Sequence, residues 1–270
     1  MLQRFRRAAK RLVTGSGPIA PPAGDAAPAQ RPSTPRLTLD QQAEKMRRDW
    51  DKRARENARF YVDNSRKAWS DEEFFASGRD SVEIFLLNDT ENVYQGRDPK
   101  SMRILEIGCG AGRVTRPLAD VFGEVHAVDI SAEMVAQARQ ALAAYPHAHI
   151  YQNNGCDLSV LPPLEFDFAF SMIVFQHIPS YEVIENYVRE VYRLLRPGGL
   201  FKFQVQGIFG EDPVSPDDTW HGVAFTEAQG RQMAERCGFE QRYTYGEGDQ
   251  YFWLWYFKPR TDSVLSPGQS

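Results

Sequence analysis

Three glycines at alternate positions, Gly108, Gly110 and Gly112, follow the apolar run 104–107, and an acid, Glu106, stands two residues before the first of them. Glycine tolerates positive φ and lets a ligand come close to the backbone. A helix opening beyond the loop adds free N–H groups and the positive end of its dipole. Such a loop can cradle a nucleotide-type cofactor, and the spacing narrows which one. A dinucleotide fingerprint needs a third glycine where Arg113 stands, and a phosphate loop needs a Gly-Lys-Ser/Thr run that is missing here. A carboxylate at Glu106 suits a cationic or amine-bearing ligand, because opposite charges attract strongly at low dielectric. Two further acids follow at similar places. Asp129 ends the apolar run 125–129, where a carboxylate can grip ribose hydroxyls, and Asp157 lies in a loop after the short run His149-Ile-Tyr-Gln152. His177 lies a few residues past the apolar run 166–173, and its ordinary pKa near 6.5 suits proton removal at neutral pH.

These residues need strand tips gathered along one edge. The pattern gives strands at 103–107, 124–129, 148–151, 166–173 and 200–206, alternating with helices at 112–122, after Ser131, from Ser180 to Leu195, and from the capping box Thr226/Gln229 to Cys237. Pro197-Gly198-Gly199 reads as the end of the third of these helices. Strands at 239–245 and 250–258 straddle Gly246-Glu-Gly-Asp249, a hairpin signal. The alternation implies an α/β fold, a doubly wound and mostly parallel seven-stranded sheet with an antiparallel C-terminal hairpin. Ahead of it, Asp40 opens a helix to about Val62, Ser70 a second, and a third runs from about Asp80 to Asn92, forming an N-terminal helical cap. The expected organisation is a basic tail and Pro/Ala-rich linker at 1–36, a cap at 37–100, a cofactor-binding domain at 101–260 and a disordered tail at 261–270.

The motifs Ile104-Leu-Glu-Ile-Gly-Cys-Gly-Ala-Gly-Arg-Val-Thr115, Val125-His-Ala-Val-Asp-Ile-Ser131, Asn154-Gly-Cys-Asp-Leu-Ser-Val-Leu-Pro162, Phe166-Asp-Phe-Ala-Phe-Ser-Met172 and Leu194-Leu-Arg-Pro-Gly-Gly-Leu200 together resemble class I S-adenosylmethionine-dependent methyltransferases. The resemblance covers about residues 101–258. It implies that Glu106, Gly108, Cys109, Gly110 and Gly112 meet the methionine part of the cofactor. Asp129 would take the ribose, with Ile130 beside the adenine, and Asp157 would accept from the adenine amino group with Leu158 alongside; Arg113 and Met134 are further cofactor-binding candidates. Ser171 and Met172 would face the methyl. The run Phe175-Gln-His-Ile-Pro179 is similar to small-molecule and sugar O-methyltransferases that use a histidine as base. The carboxylate that some of those enzymes pair with it, at the next strand tip, is replaced here by Gln204 and Gln206. His221 is the rival base, in the long segment 207–225 with Trp220 as a stacking surface. By the same resemblance the cap forms a lid, and Tyr61, Trp69, Phe75 and Trp220 are acceptor-pocket candidates, with plain helix packing the competing role.

Net charge is −4 over 270 residues, so no broad basic field invites nucleic acid. Ser171-Met-Ile-Val174 also lacks the Asn/Asp-Pro-Pro-aromatic run that holds a flipped base. Three cysteines without metal spacing suggest reduced thiols and a cytoplasmic setting, and no metal is expected. Residues 1–13 carry five basic residues beside an apolar stripe, which fits either weak membrane-surface contact or a frayed tail. No apolar run reaches membrane-spanning length. Together these point to S-adenosylmethionine-dependent methyl transfer to a small-molecule or glycan acceptor, most naturally at a hydroxyl. The competing functions are a nicotinamide-dependent oxidoreductase and a non-catalytic binding or scaffold protein on the same fold.

Overall fold

A computed structural model of the chain describes residues 38–208, 210 and 219–260. The expected tails at 1–36 and 261–270, the stripe at 1–13, and Glu211, Asp217 and Asp218 lie outside the described residues.

Seven strands form one sheet: β1 (Arg103–Ile107), β2 (Glu124–Asp129), β3 (Ala148–Gln152), β4 (Phe166–Ser171), β5 (Leu195–Val205), β6 (Glu240–Tyr245) and β7 (Phe252–Phe257), in the order β3-β2-β1-β4-β5-β7-β6. Pairs from β3 through β5 are parallel, while β7 runs antiparallel to both β5 and β6. The hairpin therefore inserts its second strand, β7, next to β5. Every residue of β4 and β7 is buried, which explains why β7 reads as an unbroken apolar run and β4 as one interrupted only by Asp167 and Ser171. The chain steps from β1 outward to β3, then crosses back to place β4 on the other side of β1. That reversal opens a crevice at the carboxyl ends of β1 and β4, the usual ligand site of such sheets.

Helices cover both faces. These are α1 (Leu39–Val62), α2 (Asp71–Phe85), α3 (Thr90–Val93), α4 (Thr115–Val121), α5 (Ala132–Ala141), α6 (Tyr181–Leu194) and α7 (Glu227–Arg236). In α6, Val183, Ile184, Tyr187, Val188, Val191 and Leu194 repeat at helical spacing and pack into the core on one sheet face. Val125, Ala127, Phe168 and Trp253 belong to the core on the other. Among the described residues, no helix is long and apolar enough to cross a membrane.

Several boundaries differ from the sequence pattern. Thr38 rather than Asp40 caps α1, because Thr38 and Gln41 complete a capping box and leave Asp40 in the first turn. The helix expected at 80–92 is split: α2 runs through Gly78 to Phe85, and a 3-10 turn over Leu87–Asp89 leads into α3. Helix α4 starts at Thr115, three residues late, because the glycine loop stays irregular through Val114. Strand β4 stops at Ser171, with Ile173 in the left-handed region at φ 58°. Strand β5 starts at Leu195 instead of 200: Gly198 N–H bonds Lys258 O at 2.9 Å and draws the Pro-Gly-Gly segment into the sheet.

Helix α1 lies over the crevice. Asp51, buried, accepts hydrogen bonds from Ser131 Oγ (2.6 Å) and Glu133 N (3.3 Å), which fastens α1 to the start of α5. Asn57 leaves helical geometry at φ −168°, and beyond this kink the last turn carries Tyr61 and Val62 over the glycine loop.

Candidate active site

The crevice holds a cleft of about 910 Å³, counting its open mouth. Glu106, Gly108, Cys109, Gly110 and Arg113 line it from the β1 side, Asp129, Ile130 and Met134 from β2 and α5, and Met172 and His177 from beyond β4. The glycine loop is built for close approach. Gly108 and Gly110 have φ of 79° and 51°, and a Cβ on Gly108 would lie 2.1 Å from Val174 Cγ2. Gly108 N and Cys109 N both donate to Val128 O, at 2.8 and 3.0 Å, which turns the loop toward β2. Gly112, at φ 84°, instead sits against Ala138 of α5.

Asp129 closes the loop from the β2 tip. Its carboxylate accepts from Gly110 N (2.8 Å) and Ser131 N (2.9 Å), and burial pushes its pKa up to about 6. Glu106 is only 4% exposed; burial, with the neighbouring Asp129 charge adding to it, pushes its pKa up to about 7. Glu106 Oε2 and Arg113 Nε have no hydrogen-bond partner among the described residues. Arg113 Nη1 donates to Ser81 Oγ (2.9 Å) and Ser77 O (3.2 Å). A buried carboxylate oxygen without a partner costs free energy, which makes Glu106 a candidate for a ligand donor, although the nearby Thr115 hydroxyl already favours the ionised carboxylate.

The adenine side is arranged differently from the sequence pattern. Asp157 does not line the cleft: its carboxylate accepts from Ser159 N (2.9 Å), Ser159 Oγ (2.6 Å) and Asn154 Nδ2 (2.9 Å). Leu158 is wholly buried in the core. Asn153 lines the cleft in their stead. Its Nδ2 donates to Tyr187 Oη at 2.6 Å, and its buried Oδ1 lacks a partner among the described residues. The run Tyr151-Gln-Asn-Asn154 offered a polar amide at the β3 tip, and the acid three residues later drew attention away from it. Ser171 is also recessed, with Oγ donating to Ile107 O at 2.9 Å to lock β4 onto β1.

Opposite the glycine loop stands an aromatic wall. Trp50 stacks on Trp220 at 6.2 Å, His177 meets the two indoles at 5.3 and 5.0 Å, and Tyr61 meets Trp220 edge-on at 6.1 Å. Trp50 belongs to the apolar stripe of α1, so its spacing alone suggested core packing. Clasps hold the Trp220 segment down: Thr219 Oγ1 donates to Asp49 Oδ2 at 2.8 Å, and Arg53 Nη1 to Thr219 O at 3.1 Å. His177 Nδ1 donates to Trp220 O, which leaves Nε2 as the lone-pair nitrogen, 3.3 Å from Gln176 Nε2. Gln204 Nε2 donates to Gln176 Oε1, and Gln204 Oε1 accepts from Ile173 N at 2.9 Å. Gln204 thus stands behind His177 through Gln176.

The remaining candidates lie elsewhere. His221 is exposed and does not line the cleft. Trp69 donates Nε1 to Asp63 O (2.9 Å) and packs on Phe74, and Phe75 is buried in a small cluster with Met134 and Ala58; neither lines the cleft.

Residues 104–199 match a family model described as "Methyltransferase domain". The chain is 38% identical over 103 residues to a malonyl-[acyl-carrier protein] O-methyltransferase of Enterobacter lignolyticus, covering 37% of this chain and 38% of that protein. It is 27% identical over 125 residues to a ubiquinone biosynthesis O-methyltransferase of Chelativorans sp., covering 44% and 48%. The matches span about two fifths to one half of those relatives. Among solved structures, magnesium protoporphyrin IX methyltransferase of Synechocystis PCC 6803 with bound SAM superposes with a TM-score of 0.56 at 16% identity, over 84% of this chain and all of that one. The DhpI–SAH complex gives 0.57 at 20% identity, over 83% and 100%.

Proposed function

We propose that this chain is a class I S-adenosylmethionine-dependent methyltransferase and that it methylates a hydroxyl or other oxygen of a small-molecule or glycan acceptor. When bound, S-adenosylmethionine supplies a sulfonium-activated methyl group. The residues present fit it. Glu106 Oε2 awaits a cationic donor, the glycine loop leaves room against bare backbone, and Asp129 retains lone pairs for ribose hydroxyls. Asn153 Oδ1 is the acceptor best placed for an adenine amino group, in the role the sequence pattern gave to Asp157. Met172 and Ile130 give the cleft apolar contact.

The chain's own part in the chemistry is positioning and proton removal. The Trp220 carbonyl fixes the His177 tautomer, so Nε2 can take the acceptor's proton while Nδ1–H stays bonded. Gln176 must yield its 3.3 Å contact for this to happen. Trp50, Tyr61 and Trp220 exclude water from the reacting atoms. Both named relatives are O-methyltransferases, which supports oxygen as the target.

The unpartnered, buried Glu106 oxygen in one cleft with Asp129 and His177 carries this proposal. It is tested by calorimetric binding of S-adenosylhomocysteine, followed by a mass-spectrometric screen for methyl transfer to hydroxylated metabolites and glycans. Saturable binding with a methylated product supports it. Binding without turnover across the screen favours the scaffold alternative, and NADH binding in place of S-adenosylhomocysteine overturns the assignment. Arg113, buried where a dinucleotide loop needs glycine, already disfavours a nicotinamide enzyme. Contact of residues 1–13 with an anionic membrane surface is a separate proposal, read by vesicle co-sedimentation of the full chain.

A further inference from the structure

Among the described residues, one group of three metal-ligating side chains comes together: Glu124, His126 and His149, with candidate ligand atoms all within 4.8 Å of one another. Glu124 and His126 lie two apart on β2 and share a sheet face, and His149 is the direct parallel partner of His126 on β3. Glu124 opens β2 and Asp129 ends it, so by strand rise Glu124 stands about 17 Å and His126 about 10 Å from the Asp129 end of the cofactor cleft. The methyl-transfer chemistry uses none of the three.

Their arrangement goes beyond mere proximity. Glu124 Oε1 is 2.7 Å from His126 Nε2 and 3.9 Å from His149 Nε2. Tetrahedral zinc, with bonds of ~2.0–2.2 Å, holds its ligand atoms ~3.3 Å apart, so one separation opens and the other closes by about the same small amount. The other carboxylate oxygen, Oε2, is held by Arg103 Nε (2.8 Å) and Nη2 (2.7 Å), which leaves Oε1 free to ligate alone. Behind the cluster, His126 Nδ1 lies 3.1 Å from Tyr151 Oη. A metal-bound imidazole usually gives its second N–H to an acceptor, and a tyrosine hydroxyl can serve as donor or acceptor. His126 can therefore move its proton from Nε2 to Nδ1 as Glu124 is released, with no net proton change. Its side chain is only 3% exposed and packs edge-on against Phe166, so its direction is fixed. His149 is 41% exposed, so the side toward solvent has room for a water as fourth ligand.

We propose that Glu124, His126 and His149 form a divalent transition-metal site, with zinc the fitting ion, that clamps edge strand β3 to β2. Two imidazoles and one carboxylate favour zinc over magnesium or calcium, which prefer all-oxygen shells. The proposed role is a clamp because the three ligands span β2 and β3, whose far ends carry Asp129 and the Asn153 segment.

The test uses untagged full-length protein, stripped with EDTA and desalted, then titrated calorimetrically with zinc sulfate. The expected result is one equivalent of zinc bound, a higher melting temperature with zinc, and no response to magnesium. His149→Ala and Glu124→Gln should each weaken zinc binding at least about tenfold and abolish the thermal shift. His147→Ala, two residues before His149 and just ahead of β3, should bind as the native chain does. Unchanged S-adenosylhomocysteine affinity in His149→Ala would show that the variant is folded. Absence of saturable zinc binding overturns the proposal, as does one equivalent that survives in folded His149→Ala.

Discussion

Glu106 is a carboxyl that burial moves from 4.5 to about 7, and that shift makes cofactor affinity depend on pH. Between those values the native protein keeps a proton that the unfolded chain gives up. The stability contribution of Glu106 therefore falls as pH rises through this window in the absence of ligand. Binding works in the opposite sense, because a cationic amine selects the ionised carboxylate. S-adenosylhomocysteine should bind roughly tenfold more weakly at pH 6 than at pH 8, with proton release, since ionisation at a pKa near 7 changes by that factor. Calorimetry in two buffers of different ionisation enthalpy reads both effects, and a pH-independent affinity without proton release contradicts the role. Asp129 adds to the same trend lower down, with its pKa at about 6. Asp129→Ala removes the acceptor of Gly110 N and Ser131 N as well as the proposed ribose contact. It should weaken binding on the order of 100-fold, because hydrogen bonds to a charged group contribute ~1.5–3 kcal/mol each. His177→Ala should lower single-turnover methyl transfer by ~10²–10⁴-fold and leave S-adenosylhomocysteine affinity near native. Loss of the acidic limb of the rate profile identifies the base, whereas an unchanged rate moves that role to another group.

At the scale of elements, the glycine loop depends on what presses against it. Helix α2 crosses the loop at Gly78, where a Cβ would lie 1.9 Å from the Arg113 carbonyl oxygen. Gly78→Ala must push α2 away or displace Arg113, and a backbone atom cannot swing aside as a side chain can. We expect a loss of ~1–3 kcal/mol in stability together with weaker S-adenosylhomocysteine binding. Thermal melting and calorimetry measure the pair; a native-like variant in both would show that α2 does not support the loop. This contact also shows what the sequence could reveal. Strands β1 and β2 were legible to the residue because their apolar runs end abruptly at polar tips. The order of glycines and acids marked the β1 and β2 side of the cleft. Gly78 carries no local signal of this contact, because close approach of a distant carbonyl leaves no local pattern. Asn153 and Trp50 were obscured for a related reason: an amide beside an acid, and an indole in an apolar stripe, each satisfy a local rule that says nothing of the cleft. The Pro-Gly-Gly segment likewise joined β5 only through its pairing with Lys258.

For the molecule as a whole, the question is what joins the N-terminal helices to the sheet. One buried cluster does much of this. Lys202 of β5, wholly buried, bonds Asp89 Oδ2 at 2.8 Å and the carbonyl of Phe85, and Trp255 Nε1 of β7 donates to the same Asp89 oxygen at 2.7 Å. Asp89 lies in the turn after α2, so the cluster ties the cap segment to two adjacent strands of the sheet. Burial lowers the Lys202 pKa to about 8, with Asp89 opposing that fall, so the ammonium depends on its partner to remain charged. Removing that partner leaves a desolvated cation. Asp89→Ala should therefore cost ~3–5 kcal/mol, far more than a surface ion pair would. The double variant Asp89→Leu/Lys202→Met replaces both charges with apolar groups and should recover most of the loss, because buried pairs are often matched by well-packed hydrophobic residues. Trp255 Nε1 loses its acceptor in either case, so a residual loss of ~1–3 kcal/mol should remain in the double variant. Denaturant unfolding of the single and double variants decides the matter. If the double variant is as unstable as Asp89→Ala, the cluster's contribution lies in the Trp255 bond and the packing of the turn rather than in the charge pair.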